Sequence, residues 1–137
     1  MTNATNPKTP AAHRPTAAEL EILRVLWSRG PSTVREVHEA LSAAKTKDVG
    51  YTSILKFLQI MTEKGLVRRN EEQRAHVYEA CEPAEKTKRQ IAGDVLQRVF
   101  EGSARDLMVH ALAGRRTSKQ EIEELRQLLD EHERKQR

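Results

Sequence analysis

Apolar residues recur at helical spacing in six stretches of this 137-residue chain, and two short runs between the third and fourth stretches break that rhythm. Leu20, Leu23, Leu26 and Trp27 mark the core face of a first helix. It opens with Thr16 and, three residues on, Glu19, and it closes at Gly30-Pro31. Val34, Val37 and Leu41 mark a second helix, opened by Thr33 and Glu36, with Ala40, Ala43 and Ala44 adding helix propensity. Tyr51, Ile54, Leu55, Leu58 and Met61 predict the buried face of a third, which stops where Gly65 takes a left-handed cap. Leu66 to Arg69 and Ala75 to Glu79 then read as short strands around an Asn70-Glu71-Glu72-Gln73 turn.

Beyond Cys81-Glu82-Pro83 the helical period returns in three stripes. Ile91, Val95, Leu96, Val99 and Phe100 form one, Leu107, Met108, Ala111 and Leu112 a second, and Ile122, Leu125, Leu128 and Leu129 a third. Gly102-Ser103 separates the first two, and Thr117 to Glu121 caps the third. Three short amphipathic helices with few aromatics make a thin core on their own. Burial against a second copy of the same stripes resolves this, so homodimerisation through these residues is expected. The predicted fold is mainly α: a winged helix-turn-helix of three helices and a β-hairpin wing over 15–82, then a three-helix dimerisation module over 83–137. Residues 1–14 are expected to form a disordered tail, and Lys45 to Val49 a linker.

Composition narrows the function. A mean hydropathy of -0.72 with 32% charged residues and no apolar run near the roughly 18 residues of a membrane span predict a cytoplasmic protein without membrane insertion. The N-terminal stretch lacks the apolar segment of a secretory signal. Cys81 is the single cysteine, with no zinc-ligand spacing around it, and reads as a spectator thiol. His13, His38, His76, His110 and His132 are scattered, so no metal site and no cofactor is expected. No nucleophile-and-base constellation or phosphate-binding loop appears, and the carboxylate-rich runs near the C-terminus read as solvated helix faces. The chain is not expected to be an enzyme.

Charge position carries more than the net +4. Between Lys45 and Arg74 seven basic residues face four acidic ones, which places most of the excess on the third helix and the hairpin. Thr52, Ser53, Lys56 and Gln59 lie opposite the apolar face of that helix and are the side-chain types that meet base edges and phosphates in a major groove. Thr52 or Ser53 also fits the role of a helix cap. Arg68, Arg69, Arg74 and His76 in the hairpin suit backbone phosphates, while strand arginines also serve to blunt an exposed sheet edge. Glu71 and Glu72 argue against deep phosphate contact at the tip. The expected function is sequence-specific binding of double-stranded DNA; the alternative is a protein-interaction adaptor that uses the winged helix as a docking surface.

These residues resemble the penicillinase-repressor family, which comprises the β-lactamase and methicillin-resistance repressors and their copper-responsive relatives. The resemblance runs through Thr16-Ala17-Ala18-Glu19-Leu20-Glu21-Ile22-Leu23 to Trp27, Val34-Arg35-Glu36-Val37 with Leu41, Tyr51-Thr52-Ser53-Ile54-Leu55 with Glu63-Lys64-Gly65-Leu66-Val67, and Arg74-Ala75-His76-Val77-Tyr78. It continues in Phe100-Glu101-Gly102-Ser103 and in Ser118 to Leu125. It implies a homodimeric transcriptional repressor on a pseudo-palindromic operator, with a membrane sensor metallopeptidase as the partner that relieves repression by proteolysis. The β-lactamase-type members are cut at an Asn-Phe bond, which this chain lacks. The paired cysteines of the copper-responsive branch are also missing, so copper sensing is not expected.

Overall fold

The computed structural model describes residues 14–44, 49–72 and 74–137. The expected tail lies outside the described residues except for Arg14, and residues 45–48 of the expected linker and Gln73 of the expected turn lie outside them too. Helix α1 (Ala17–Arg29) opens on a complete capping box: Thr16 N–H donates to Glu19 Oε1 at 2.9 Å, and Glu19 N–H donates to Thr16 Oγ1 at 3.2 Å. The same exchange joins Thr33 and Glu36 at the start of α2 (Val34–Ala44), at 2.9 and 3.1 Å.

Helix α3 (Tyr51–Lys64) ends at Gly65, whose φ of 83° is left-handed and whose N–H returns to the last turn. Strands β2 (Val67–Asn70) and β3 (Val77–Ala80) form the wing. The return strand starts two residues later than Ala75, because only from Val77 does the backbone find partners on both sides. On one side lies β2, with Arg69 opposite Tyr78. On the other lies a strand the hydrophobic pattern did not predict, β1 (Ser32–Thr33), which pairs Ser32 with Tyr78 and Thr33 with Val77. The sheet order is β1-β3-β2, all antiparallel.

This sheet and the three helices close over one core: Ile22, Leu23 and Leu26 of α1, Val34 and Val37 of α2, Ile54, Leu58 and Met61 of α3, with Val67 and Tyr78. Each fully buried aliphatic side chain contributes about 1.5–3 kcal/mol relative to exposure. Leu20, Leu55 and Trp27 pack on its margin, and Trp27 Nε1 donates to the Glu82 carbonyl at 2.9 Å. Tyr51 departs from the expected buried face. As the first residue of α3 it lies beyond the last core turn, is 48% exposed, and meets His38 edge-on with ring centroids 6.1 Å apart.

One charged pair is buried with the core. Glu19 is 3% exposed, and its Oε1 lies 2.7 Å from Lys64 Nζ, which also donates to the Arg14 carbonyl at 3.1 Å. A buried carboxylate is tolerated because both an ammonium and a backbone N–H satisfy it.

The chain then continues into α4 (Ala84–Arg98), α5 (Ala104–Leu112) and α6 (Lys119–Lys135). Gly102, with φ 84°, reverses the chain after α4 and donates to Leu96 O at 2.8 Å. Ser103 and Ser118 cap the last two helices, accepting from Asp106 N–H and Glu121 N–H at 3.0 Å each. The chain divides into two compact units, one ending at Gly93 and the other running Asp94–Arg137. The division falls within α4; ahead of it, Glu82 holds the indole of Trp27 and Thr87 is buried. In the second unit no residue is buried.

Candidate nucleic-acid interface

Burial of Ile54, Leu58 and Met61 fixes the rotation of α3, and its opposite side is therefore outward. Thr52, Ser53, Lys56, Gln59 and Glu63 are all exposed there. The helix is capped by Gly50, with φ -73° and ψ 156° and no side-chain cap bond. Thr52 and Ser53 thus sit inside the first turn rather than at the cap, and neither hydroxyl is engaged by another described residue. A face of two hydroxyls, an ammonium and an amide on a helix of 14 residues matches the donor and acceptor types that a major groove presents.

The basic residues of the wing separate into two environments. Arg68, Arg69, Asn70, Glu71, Glu72 and Glu79 line one cleft of about 610 Å³. There Arg68 Nε lies 3.2 Å from Glu79 Oε1, its cross-strand neighbour in the register, and Arg69 is ion-paired to Glu71. The Arg69 guanidinium is held above its ordinary value by hydrogen bonding to Tyr78 and then to Glu71. Arg74 and His76 instead line a second cleft of about 480 Å³ together with Thr33, Arg35, Tyr51 and Leu55. Among the described residues no carboxylate lines it.

Arg35 was not among the expected site residues. Its position at the start of α2 is plain in the sequence, but its closeness to His76 depends on the β1–β3 pairing, which sets Thr33 against Val77. The unpredicted strand and the place of Arg35 in this cleft have one cause.

The residues expected to dimerise lie on α4, α5 and α6, except Val99 and Phe100, which fall in the turn after α4 ends at Arg98. Ile91 faces a groove with Leu20 and Trp27. Val95, Leu96, Leu107, Met108 and Leu125 are half-buried, and Phe100 rests against His110 with ring centroids 5.6 Å apart. Val99, Leu112, Ile122, Leu128 and Leu129 are exposed, Leu129 by 68%. Among the described residues no group of His, Cys, Asp or Glu could hold a metal, and no helix is long and apolar enough to cross a membrane.

A sequence model of the penicillinase repressors matches residues 15–131, spanning the winged unit and nearly all of α4 to α6. The chain belongs to the penicillinase repressor family. It is 35% identical over 117 residues to the transcriptional regulator BlaI of Mycobacterium tuberculosis, covering 84% of this chain and 82% of that protein. It is 29% identical over 115 residues to the penicillinase repressor of Bacillus licheniformis, covering 84% and 88%. Penicillinase repressors are transcriptional regulators, not enzymes. The mainly helical fold with its small antiparallel sheet is that of a winged helix followed by a helical module.

Proposed function

We propose that this penicillinase-repressor chain is a cytoplasmic homodimer that represses transcription by docking α3 in the major groove of a pseudo-palindromic operator. The outward face of α3 supports this most directly: Thr52, Ser53, Lys56 and Gln59 are exposed and uncommitted to other described side chains. Arg74 and His76 flank it from the wing. In a two-fold dimer the two α3 helices address half-sites about 34 Å apart, or multiples of that distance, on one face of the duplex.

The apolar surface of Val99, Leu112, Ile122, Leu128 and Leu129 supports dimerisation, since soluble monomers rarely leave such stripes uncovered. Relief of repression through a membrane sensor metallopeptidase requires cleavage of a bond other than Asn-Phe. Mass spectrometry of the chain co-expressed with such a protease would locate the cut, and an intact chain would remove that partner.

DNA docking is tested with a duplex selected from a random-sequence pool by the wild-type chain. Lys56→Ala should flatten the dependence of log affinity on log salt by about 0.9 unit, the loss of one phosphate contact. An unchanged slope in a folded variant rules out contact through this face. Solution mass answers the dimer question: a monomer at micromolar concentration ends that part of the proposal.

A further inference from the structure

The two clefts of the wing hold the same number of arginines and opposite surroundings. Around Arg68 and Arg69 stand three carboxylates, Glu71, Glu72 and Glu79, and both guanidinium groups are already ion-paired. Around Arg35 and Arg74 stand His76, Thr33 and Tyr51, with no acidic side chain among the described residues that line the cleft. Neither arginine is ion-paired to another described residue, and both are exposed. Glu36, beside Arg35 in sequence, is engaged elsewhere: it accepts from Thr33 N–H at 2.9 Å and lies 3.7 Å from Arg29, and Glu72, the acid nearest Arg74 in sequence, lines the other cleft.

We propose that Arg35 of α2, with Arg74 and His76 of the wing, forms a seat for one backbone phosphodiester of duplex DNA, and that Arg68 and Arg69 contribute no phosphate contact. The proposal rests on the DNA-binding function above and names the residues that position α3. Three features support it. The seat is built from separate segments held together by the Thr33–Val77 strand pair, so its geometry is set by the fold. It adjoins α3, because Tyr51 and Leu55 line it too, so a phosphate held there fixes the register of Thr52 and Ser53 on the bases. Guanidinium groups pair with phosphate in planar, often two-pronged geometry, and those with no carboxylate partner need not break an existing ion pair to do so.

The test uses the full-length chain and a fluorescein-labelled duplex selected from a random-sequence pool, with affinity measured by anisotropy between about 50 and 200 mM salt, where phosphate contacts dominate. Arg35→Ala/Arg74→Ala should flatten the salt slope by about 0.9 unit per phosphate lost. Arg35→Lys, which keeps the charge, should retain the wild-type slope. Arg68→Ala/Arg69→Ala should also leave it unchanged, and circular dichroism melts confirm that each variant is folded. If the first double variant keeps the wild-type slope, or the second flattens it instead, the seat is wrong while DNA binding stands. If the wild-type chain binds no duplex, the DNA-binding function fails and the seat with it.

Discussion

Leu58 in the winged unit is 0% exposed and Leu129 in the second unit is 68% exposed, although both belong to apolar stripes that look alike along the sequence. Leu58 has α1, α2 and the sheet to bury it within the same chain. Leu129 belongs to a unit in which no residue is buried. An amphipathic period therefore predicts that a face seeks burial, without naming the surface that provides it. In the first unit that surface is intramolecular, and in the second it is proposed to be another copy.

The largest expected effect separates these cases. Leu58→Ala should cost about 2–5 kcal/mol in urea unfolding followed by circular dichroism, at every protein concentration. Leu129→Ala should leave a monomer within about 0.5 kcal/mol of the wild type, whereas in a homodimer its cost depends on protein concentration. Equal, concentration-independent losses for the two would erase the distinction.

A smaller effect is expected at the buried pair. Lys64→Ala leaves Glu19 without its ammonium and should cost about 2–3 kcal/mol, below the roughly 3–5 kcal/mol of a fully enclosed pair because the Lys64 side chain keeps 16% exposure. Lys64→Met unfolding at the wild-type denaturant midpoint would show that the charge contributes nothing. Smallest is Ser118→Ala, which removes the hydroxyl accepting Glu121 N–H and should cost about 1 kcal/mol, seen as faster amide exchange confined to the start of α6.

Much of this organisation was legible from local chemistry. Thr16 with Glu19, Thr33 with Glu36, and Ser118 announced helix starts, and Gly65 a stop, because caps are made within a few residues. The exposed face of α3 followed from its apolar period. Pairings over long separations were not legible. Ser32-Thr33 is too short to show alternation and is a strand only because Tyr78 and Val77 lie beside it. Arg68 and Arg69 suited backbone phosphates or a blunted sheet edge, and the acids that pair with them came into view only when the register set Glu79 opposite Arg68 and the turn returned Glu71 to Arg69. Thr52 and Ser53 were open to a capping role until Gly50 proved to occupy that position. Tyr51 shares the stripe of Ile54 and Leu58 but sits where the stripe has run past the core.

The Glu19 carboxylate carries a consequence for the timing of assembly. Its bond to Thr16 N–H is local, and a nascent α1 can form it alone. Its bond to Lys64 spans 45 residues and closes only when α3 has docked. Contacts of such separation are formed against the entropy of a long loop, so α1 gains the second half of its anchor late. Amide exchange in its first turn should then report unfolding of the whole winged unit, while the start of α6, anchored by Ser118 alone, opens on its own schedule.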